Sequence, residues 1–178
     1  MGAMAPVTLA GALAQQTAEA LGIVVLCQLV RPGSPCVLGG FTSNVDLKSG
    51  SPAFGTPEYV QGVIASAQIG RRLRLPVRTS AVNAAPCVDA QSTYETAFAL
   101  QAAILSHSHL VSHATGWLEG GLSASYEKIV VDVLDTDQRS DEHGAVEHVG
   151  DQALAERQRD QDARRHVVAP VVVHGAGR

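Results

Sequence analysis

Three segments of the sequence carry aromatic, cationic and amide side chains of the kind that can surround a small charged molecule. They are Phe41 and Asn44 in the first segment, Arg78 and Asn83 in the second, and His113 and Trp117 in the third. Trp117, the only tryptophan, lies between glycines. Its ring quadrupole could attract a cationic ligand, or the ring could pack as a lid on the rim of the fold. Residue spacing leaves both interpretations open.

Histidines near the third segment raise the alternative of a zinc site. His107, His109 and His113 would face one side of a continuous strand, and an HxH pair can bind zinc. However, His107 and His109 lie where the chain enters the expected strand, remote from the other candidates, and no second ligand set stands out. We therefore expect no bound metal, and a zinc-dependent barrel hydrolase is the less favoured alternative. The sequence also shows no phosphate-binding loop with a lysine, no GxSxG and no Cys–His pairing.

Repeated strand and helix signals predict the fold that would position these side chains. Short apolar runs begin near residues 35, 76 and 109, and a loop and a helix signal follow each run. This order is the βα unit of a parallel α/β fold. A complete (βα)8 barrel needs roughly 250 residues, whereas this chain has 178. The sequence therefore predicts part of a TIM barrel, about three βα units plus a preceding helix, with the candidate residues at the carboxyl ends of the strands.

Capping signals define the helices of the three units. Thr56-Pro57-Glu58 predicts a helix that runs to about residue 74. Asp89 is better explained as the N-cap of a helix over 90–105 than as a catalytic acid. Ser123 begins a third helix that runs to about residue 134, and we expect Glu127 and Lys128 on its surface.

The segment from Ala3 to Val30 is apolar enough to suggest a membrane span. Several polar side chains interrupt it, and Thr8 behind Pro6 resembles a helix N-cap. We interpret the segment as a buried amphipathic helix. Its predicted buried positions follow helical spacing and are Leu9, Leu13, Leu21, Ala10, Ala14 and Ala18.

The composition changes near residue 134. Residues 1–134 carry 15 charged side chains, and the remaining 44 positions carry 15 more; all seven aromatics precede the change. The segment 135–178 is therefore interpreted as a solvated tail, disordered or translated from a shifted reading frame, and 138–166 should lack stable packing. The run 167–173 could form a strand, although Pro170 disfavours a central one. The net charge of −4 argues against a nucleic-acid binder.

At the candidate loops the sequence resembles the trimethylamine methyltransferase family of corrinoid-dependent methyltransferases. The matching segments cover about residues 1–133 and are the N-terminal run 1–16, Gly39–Asn44 with Phe54–Glu58, Asp89–Gln91 with Tyr94–Glu95, and Gly116–Leu122 with Ser125–Lys128. Members of the family are longer chains with a TIM barrel, so the resemblance implies that residues 1–134 are the C-terminal half of that domain.

The resemblance also implies a reaction, in which a methyl group moves from a quaternary or tertiary amine to the Co(I) corrinoid of a partner protein. Trimethylamine enzymes of this family carry pyrrolysine near the loop that here reads Val82–Cys87, which contains only ordinary residues. This favours the pyrrolysine-free branch and a betaine-like substrate. In that reading the site residues divide by role: Phe41 and Trp117 stabilise the ammonium, Arg78 anchors a carboxylate, and Asn44, Asn83 and His113 orient the substrate.

Two other interpretations of the chain stay open. It could be an inactive, truncated remnant, or a subunit that a complementing chain completes. Cysteines at 27, 36 and 87 form no disulfide framework and suit a reducing cytoplasm. The family resemblance implies two partners, a corrinoid protein and a small methylated amine. We expect no association with a membrane, and the chain could form a homo-oligomer.

Overall fold

The computed structural model describes residues 1–143 and 171–174, which form a parallel sheet flanked by helices. The four helices are α1 (Leu9–Val30), α2 (Pro57–Leu73), α3 (Ala90–Leu105) and α4 (Tyr126–His143). The strands are β1 (Cys36–Gly39), β2 (Asn44–Val45), β3 (Pro52–Ala53), β4 (Val77–Ser80), β5 (Leu110–Ser112), β6 (Trp117–Leu118), β7 (Ser123–Ala124) and β8 (Val171–His174).

The main sheet has the strand order β5-β4-β1-β8, and all of its pairs are parallel. The three βα units therefore form as the spacing predicts, with β4 between β1 and β5. Within the described residues the sheet has two open edges, so the barrel itself stays a prediction. Two antiparallel hairpins, β2–β3 and β6–β7, lie in the loops that follow β1 and β5.

Part of the segment predicted as a tail contributes to this fold. Helix α4 continues to His143, beyond its expected end near residue 134. Strand β8 pairs with β1 at an edge of the sheet, in register from Cys36–Val171 to Gly39–His174. Residues 144–170 and 175–178 lie outside the described part of the chain, and so does most of the segment expected to lack packing.

The caps of α1, α2 and α3 form where the sequence signals place them. The Thr8 hydroxyl accepts a hydrogen bond from the amide of Gly11 at the start of α1, and Thr56 accepts from that of Tyr59 at the start of α2. Asp89 and Ser92 form a reciprocal capping box at the start of α3. The interpretation of Asp89 as a helix cap is therefore confirmed. The expectation that Ser123 begins the third helix was wrong, because Ser123 lies in β7 and α4 begins at Tyr126, where Ser125 Oγ accepts from the Lys128 amide at 3.3 Å.

The buried face of α1 differs from the predicted one. Ala12, Leu13, Gln16 and Ala20 are buried, whereas the predicted positions Ala10, Ala14 and Ala18 are exposed. The cause is Gln16, whose amide Nε2 donates to Ser66 Oγ at 3.0 Å while its Oε1 accepts from Thr42 Oγ1 at 2.5 Å. A buried amide must be hydrogen-bonded, and these partners fix the rotation of the helix.

Helix α1 also leaves apolar surface exposed towards its C-terminal end. The exposed side chains include Val25, Leu26, Leu29 and Val30. By length and composition this helix could cross a membrane. A single such helix near the N-terminus is weak evidence for a span, because core helices and signal sequences pass the same test. Only 22% of its most apolar stretch is buried, so the expectation of a buried helix is met only in part.

Two apolar clusters hold the helices on the sheet. The larger lies between α2 and α3 and contains Phe54, Tyr59, Val82 and Leu100. The smaller packs α1 and α2 against β1 and β4, and its buried members are Ala20, Leu38, Ala67 and Val77. Together they position the strand ends and the loops that follow them.

Candidate functional site

Four of the predicted site residues form one cluster, in which Arg78 lies within β4 and the other three follow the carboxyl ends of β1 and β5. The guanidinium carbon of Arg78 lies 5.1 Å from the centroid of the Phe41 ring. The Phe41 and His113 ring centroids are 6.4 Å apart, and those of His113 and Trp117 are 5.2 Å apart in an edge-to-face arrangement. Parallel strands bring their carboxyl ends to the same edge of a sheet, so residues more than 70 positions apart in the chain meet here.

The charged member of this cluster is held inside the protein. Arg78 is 5% exposed, and its Nε donates to Ser112 Oγ at 2.7 Å on the neighbouring strand. Burial lowers the pKa of Arg78, but a guanidinium keeps its charge at neutral pH. A fixed cation in a desolvated setting is suited to binding a carboxylate. The guanidinium lies over a face of the Phe41 ring, and this cation–π contact stabilises its positive charge.

His113 links the cluster to strand β4. Its backbone adopts a left-handed conformation with φ of 54°, which is unusual for a residue other than glycine. The imidazole Nδ1 and Ser80 Oγ lie within hydrogen-bonding distance, at 2.8 Å. Such backbone conformations cost about 1–3 kcal/mol and concentrate at functional sites.

Trp117 lies at the start of the β6–β7 hairpin, which the loop after β4 holds in place. Asn83 Nδ2 donates to the carbonyl of Trp117 at 2.8 Å, and the Asn83 carbonyl accepts from the amide of Gly120 at 2.7 Å. A third bond joins the amide of Glu119 to the carbonyl of Ala85 at 3.0 Å. The Trp117 and Phe41 side chains are each 37% exposed, so both rings remain accessible from solvent.

The two predicted asparagines lie outside this cluster. Asn83 is 1% exposed, and its Nδ2 donates to Thr96 Oγ1 as well as to the Trp117 carbonyl. Asn44 accepts from the Thr56 hydroxyl at 2.8 Å, beside the N-terminus of α2. In these positions both amides organise loops, and the prediction that they orient a substrate directly has not been tested.

The histidine alternative finds no support in the described residues. His109 is engaged with β4, because its Nδ1 accepts from the amide of Val77 at 3.2 Å and its own amide donates to the Val77 carbonyl at 2.9 Å. His107 lies in the turn before β5. Among residues 1–136, whose side chains the structure describes, no group of three or more His, Cys, Asp or Glu is placed to hold a metal ion.

Sequence reasoning missed a buried ion pair behind the Trp117 hairpin. The prediction that Lys128 lies on the surface of α4 was wrong, since it is 0% exposed and pairs with Asp132, which is 2% exposed. Lys and Asp four residues apart on a helix are usually solvated, so the pair alone gave no signal of burial. The apolar side chains of the same helix gave no signal either, because Ile129, Val130, Val133 and Leu134 are exposed.

A family model described as trimethylamine methyltransferase (MTTB) matches residues 1–167 of the chain. The chain belongs to this family. The resemblance seen in the sequence is thereby confirmed, and the match runs beyond residue 134. Members of the trimethylamine methyltransferase family among the curated proteins are named methyltransferases, so the chain derives from a family of enzymes.

Three relatives within the family illustrate the range of substrates. The chain is 38% identical over 132 residues to a glycine betaine methyltransferase of Desulfitobacterium hafniense (strain Y51). It is 33% identical over 129 residues to a proline betaine:corrinoid methyltransferase of Eubacterium limosum, and 33% identical over 132 residues to the trimethylamine methyltransferase MttB of Methanosarcina thermophila.

The alignments cover most of this chain but little of the relatives. They include 74%, 72% and 74% of the chain and 28%, 27% and 27% of the respective relatives. The chain therefore spans about a quarter of the length of the curated relatives it matches.

Proposed function

We propose that this chain supplies the amine-binding part of a methyltransferase, which moves a methyl group from a betaine-like quaternary ammonium to a corrinoid carried by a partner protein. Membership of the trimethylamine methyltransferase family supports the reaction class. The observation that carries the substrate proposal is the buried guanidinium of Arg78 within one cluster with Phe41, His113 and Trp117. A betaine combines a carboxylate and a quaternary ammonium, and the cluster offers a group for each.

The two ends of the substrate would occupy different parts of the cluster. From the sequence we expected Phe41 to contact the ammonium together with Trp117. Because Arg78 lies over the Phe41 ring, we assign Phe41 instead to the carboxylate subsite, where it stabilises the guanidinium. The substrate ammonium would then bind at Trp117. The Trp117 ring is accessible from solvent and packs edge-to-face against His113. An aromatic face attracts a quaternary ammonium that has lost its water, without needing a hydrogen-bond donor on the ligand.

This arrangement assists the chemistry by binding and orientation. The bond between a methyl carbon and nitrogen breaks with its electron pair left on nitrogen, so that the cationic ammonium becomes a neutral tertiary amine. The corrinoid, when the partner brings it, supplies the Co(I) nucleophile that accepts the methyl group. The residues of this chain hold the ammonium and direct one methyl outward. The solvent-accessible side of the Phe41 and Trp117 rings fits the approach of a large cofactor from a second protein.

The residues of the loop after β4 favour a quaternary rather than a tertiary amine as the substrate. Ala81, Val82 and Ala85 are buried there, and the amide of Asn83 is committed to the Trp117 hairpin. The loop thus has a packing role and presents no residue for covalent activation of an amine. A quaternary ammonium needs none, because its nitrogen already carries the positive charge that lets it leave as a neutral tertiary amine.

Replacement of Trp117 by leucine tests the proposal in this chain, assayed together with a corrinoid protein. A cation–π contact contributes about 0.5–1 kcal/mol at an exposed site and about 2 kcal/mol when desolvated. For contributions of about 1–2 kcal/mol, Trp117→Leu should lower kcat/KM for glycine betaine roughly fivefold to thirtyfold. The assay follows the absorbance change of the partner corrinoid as it is methylated.

The matched control is Tyr94→Leu, which removes an exposed aromatic ring that stacks on Phe98 away from the cluster. Its kcat/KM should stay close to that of the parent. An unchanged rate in Trp117→Leu would assign the tryptophan to rim packing. An absence of methyl transfer from every quaternary ammonium tested would overturn the proposed function.

A further inference from the structure

The buried pair Lys128–Asp132 is fully engaged in hydrogen bonds. Lys128 Nζ donates to Thr96 Oγ1 at 3.0 Å, to the Ser92 carbonyl at 3.3 Å and to Asp132 Oδ1. A lysine ammonium has three donors, and all three are used here. Burying two charges costs several kcal/mol per ion unless their remaining hydrogen-bonding groups are satisfied. A pair that served only to join α3 to α4 could be replaced by apolar side chains.

The second carboxylate oxygen of Asp132 binds a segment outside α4. Asp132 Oδ2 accepts from the amide of Gly116 at 2.8 Å, immediately before Trp117 in the chain. Gly116 has φ of +79°, and a Cβ atom there would lie 2.5 Å from Ile129 Cγ1. The chain therefore passes so close to α4 at this point that only glycine fits, and the carboxylate meets its backbone directly.

The Lys128 ammonium is connected to the same segment through Thr96 and Asn83. Thr96 Oγ1 accepts from both Lys128 Nζ and Asn83 Nδ2, and Asn83 Nδ2 also donates to the Trp117 carbonyl. One connected network thus holds the amide of Gly116 and the carbonyl of Trp117. These two groups flank the dipeptide that carries the indole.

We propose that Lys128 and Asp132 are positioning residues that place the Trp117 ring by fixing the backbone on both sides of it. Neither residue touches the cluster of Phe41, Arg78 and His113 in the proposal, and each acts through the hairpin. The consequence for substrate binding rests on the proposed role of Trp117, whereas the positioning of the indole can be measured without any ligand.

Two charge-neutral double variants of the 178-residue chain separate positioning from general stability. Lys128→Met with Asp132→Asn removes both charges but keeps a side-chain oxygen that can accept from the Gly116 amide. Lys128→Met with Asp132→Leu removes both charges and that acceptor. Because buried ion pairs can often be replaced by neutral side chains of similar volume without loss of stability, both variants should fold. Urea unfolding measures the stability of each.

Trp117 reports its own position, since it is the only tryptophan of the chain. Acrylamide quenching of its fluorescence and the single indole N–H signal in a ¹H–¹⁵N spectrum follow its exposure and surroundings. The double variant with Asp132→Asn loses the Lys128 ammonium but keeps the acceptor for the Gly116 amide, so its quenching constant should lie between that of the parent and that of the double variant with Asp132→Leu. In the double variant with Asp132→Leu the hairpin should open locally. Because Trp117 is 37% exposed in the parent, the quenching constant should rise by about twofold.

Further variants keep the experiment decisive. Leu38→Ala creates a cavity in the smaller apolar cluster and should lower stability without changing the quenching of Trp117. If the Leu double variant does not fold, Thr96→Val breaks the link between Lys128 and Asn83 and should also raise the quenching constant. Equal quenching in the parent and both double variants would overturn the proposal, as would a rise in Leu38→Ala equal to that in the Leu variant.

A glycine betaine titration then separates this inference from the proposed function. The Leu double variant should bind betaine roughly tenfold more weakly than the Asn double variant, since the ammonium loses its aromatic wall. Altered quenching together with no betaine binding to the parent would overturn the proposed function and leave the positioning role intact.

Discussion

Replacement of Arg78 by leucine should change the ligand preference of the cluster rather than simply weaken it. Arg78 is buried over the ring of Phe41 and is fixed by its bond to Ser112. A hydrogen bond to a charged group contributes about 1.5–3 kcal/mol. Loss of the guanidinium should therefore weaken glycine betaine binding roughly tenfold to 140-fold.

Choline should respond differently, because it has the ammonium but no carboxylate. Arg78→Leu removes a nearby positive charge and also frees the face of Phe41 that the guanidinium now covers. We expect choline affinity to stay the same or to increase. The affinities for betaine and choline should thus diverge, and this divergence is a stronger test than either affinity alone.

Isothermal titration calorimetry with both ligands measures this divergence. Arg72→Leu is the matched control, since Arg72 is exposed in the last turn of α2 and should leave both affinities unchanged. Arg78→Lys keeps the charge without the planar fork and should fall between the parent and Arg78→Leu for betaine. Equal losses for betaine and choline in Arg78→Leu would refute the assignment of Arg78 to the carboxylate.

Two further predictions concern the loops around the site. Gly116→Ala should lower the free energy of unfolding by about 1–3 kcal/mol in urea titrations, because the new methyl group meets Ile129 and the positive φ is strained; an unchanged midpoint would contradict the close packing. Hydrogen bonds from the Ser49 hydroxyl, the Ser49 amide and the Lys48 amide lower the pKa of Asp46. Their stabilisation of the 46–51 turn is therefore present above the ordinary aspartate pKa of about 3.9 and is lost as the pH falls through the lower folded value. The Ser49 amide signal in ¹H–¹⁵N spectra should move over that acid range in the parent but not in Asp46→Asn.

Signals that act over a few residues predicted much of the fold. Thr56 with Pro57 and Asp89 begin α2 and α3 as expected. The apolar runs near 35, 76 and 109 became parallel strands in the predicted units. Positions in β4 for Arg78 and in the loops after β1 and β5 for Phe41, His113 and Trp117 were enough to bring these residues together, since parallel strands share one carboxyl edge.

The features that sequence reasoning missed depend on contacts between distant segments. The rotation of α1 follows from the bonds of Gln16 to Thr42 and Ser66, which no helical pattern contains. The burial of Lys128 depends on Thr96 and on the Gly116 turn, which come from other units of the chain. Such polar networks form only after the surrounding elements have packed, so residue periodicity carries no trace of them.

The contact between substrate and protein is the most direct test of the central claim, that this segment binds the ammonium of a betaine at Trp117. Intermolecular nuclear Overhauser effects from the trimethylammonium protons of glycine betaine would locate the ligand on the chain. We predict cross-peaks to the indole protons of Trp117, the only tryptophan, and their disappearance in Arg78→Leu as the carboxylate anchor is lost. Cross-peaks to other aromatic rings without any to Trp117 would contradict the account.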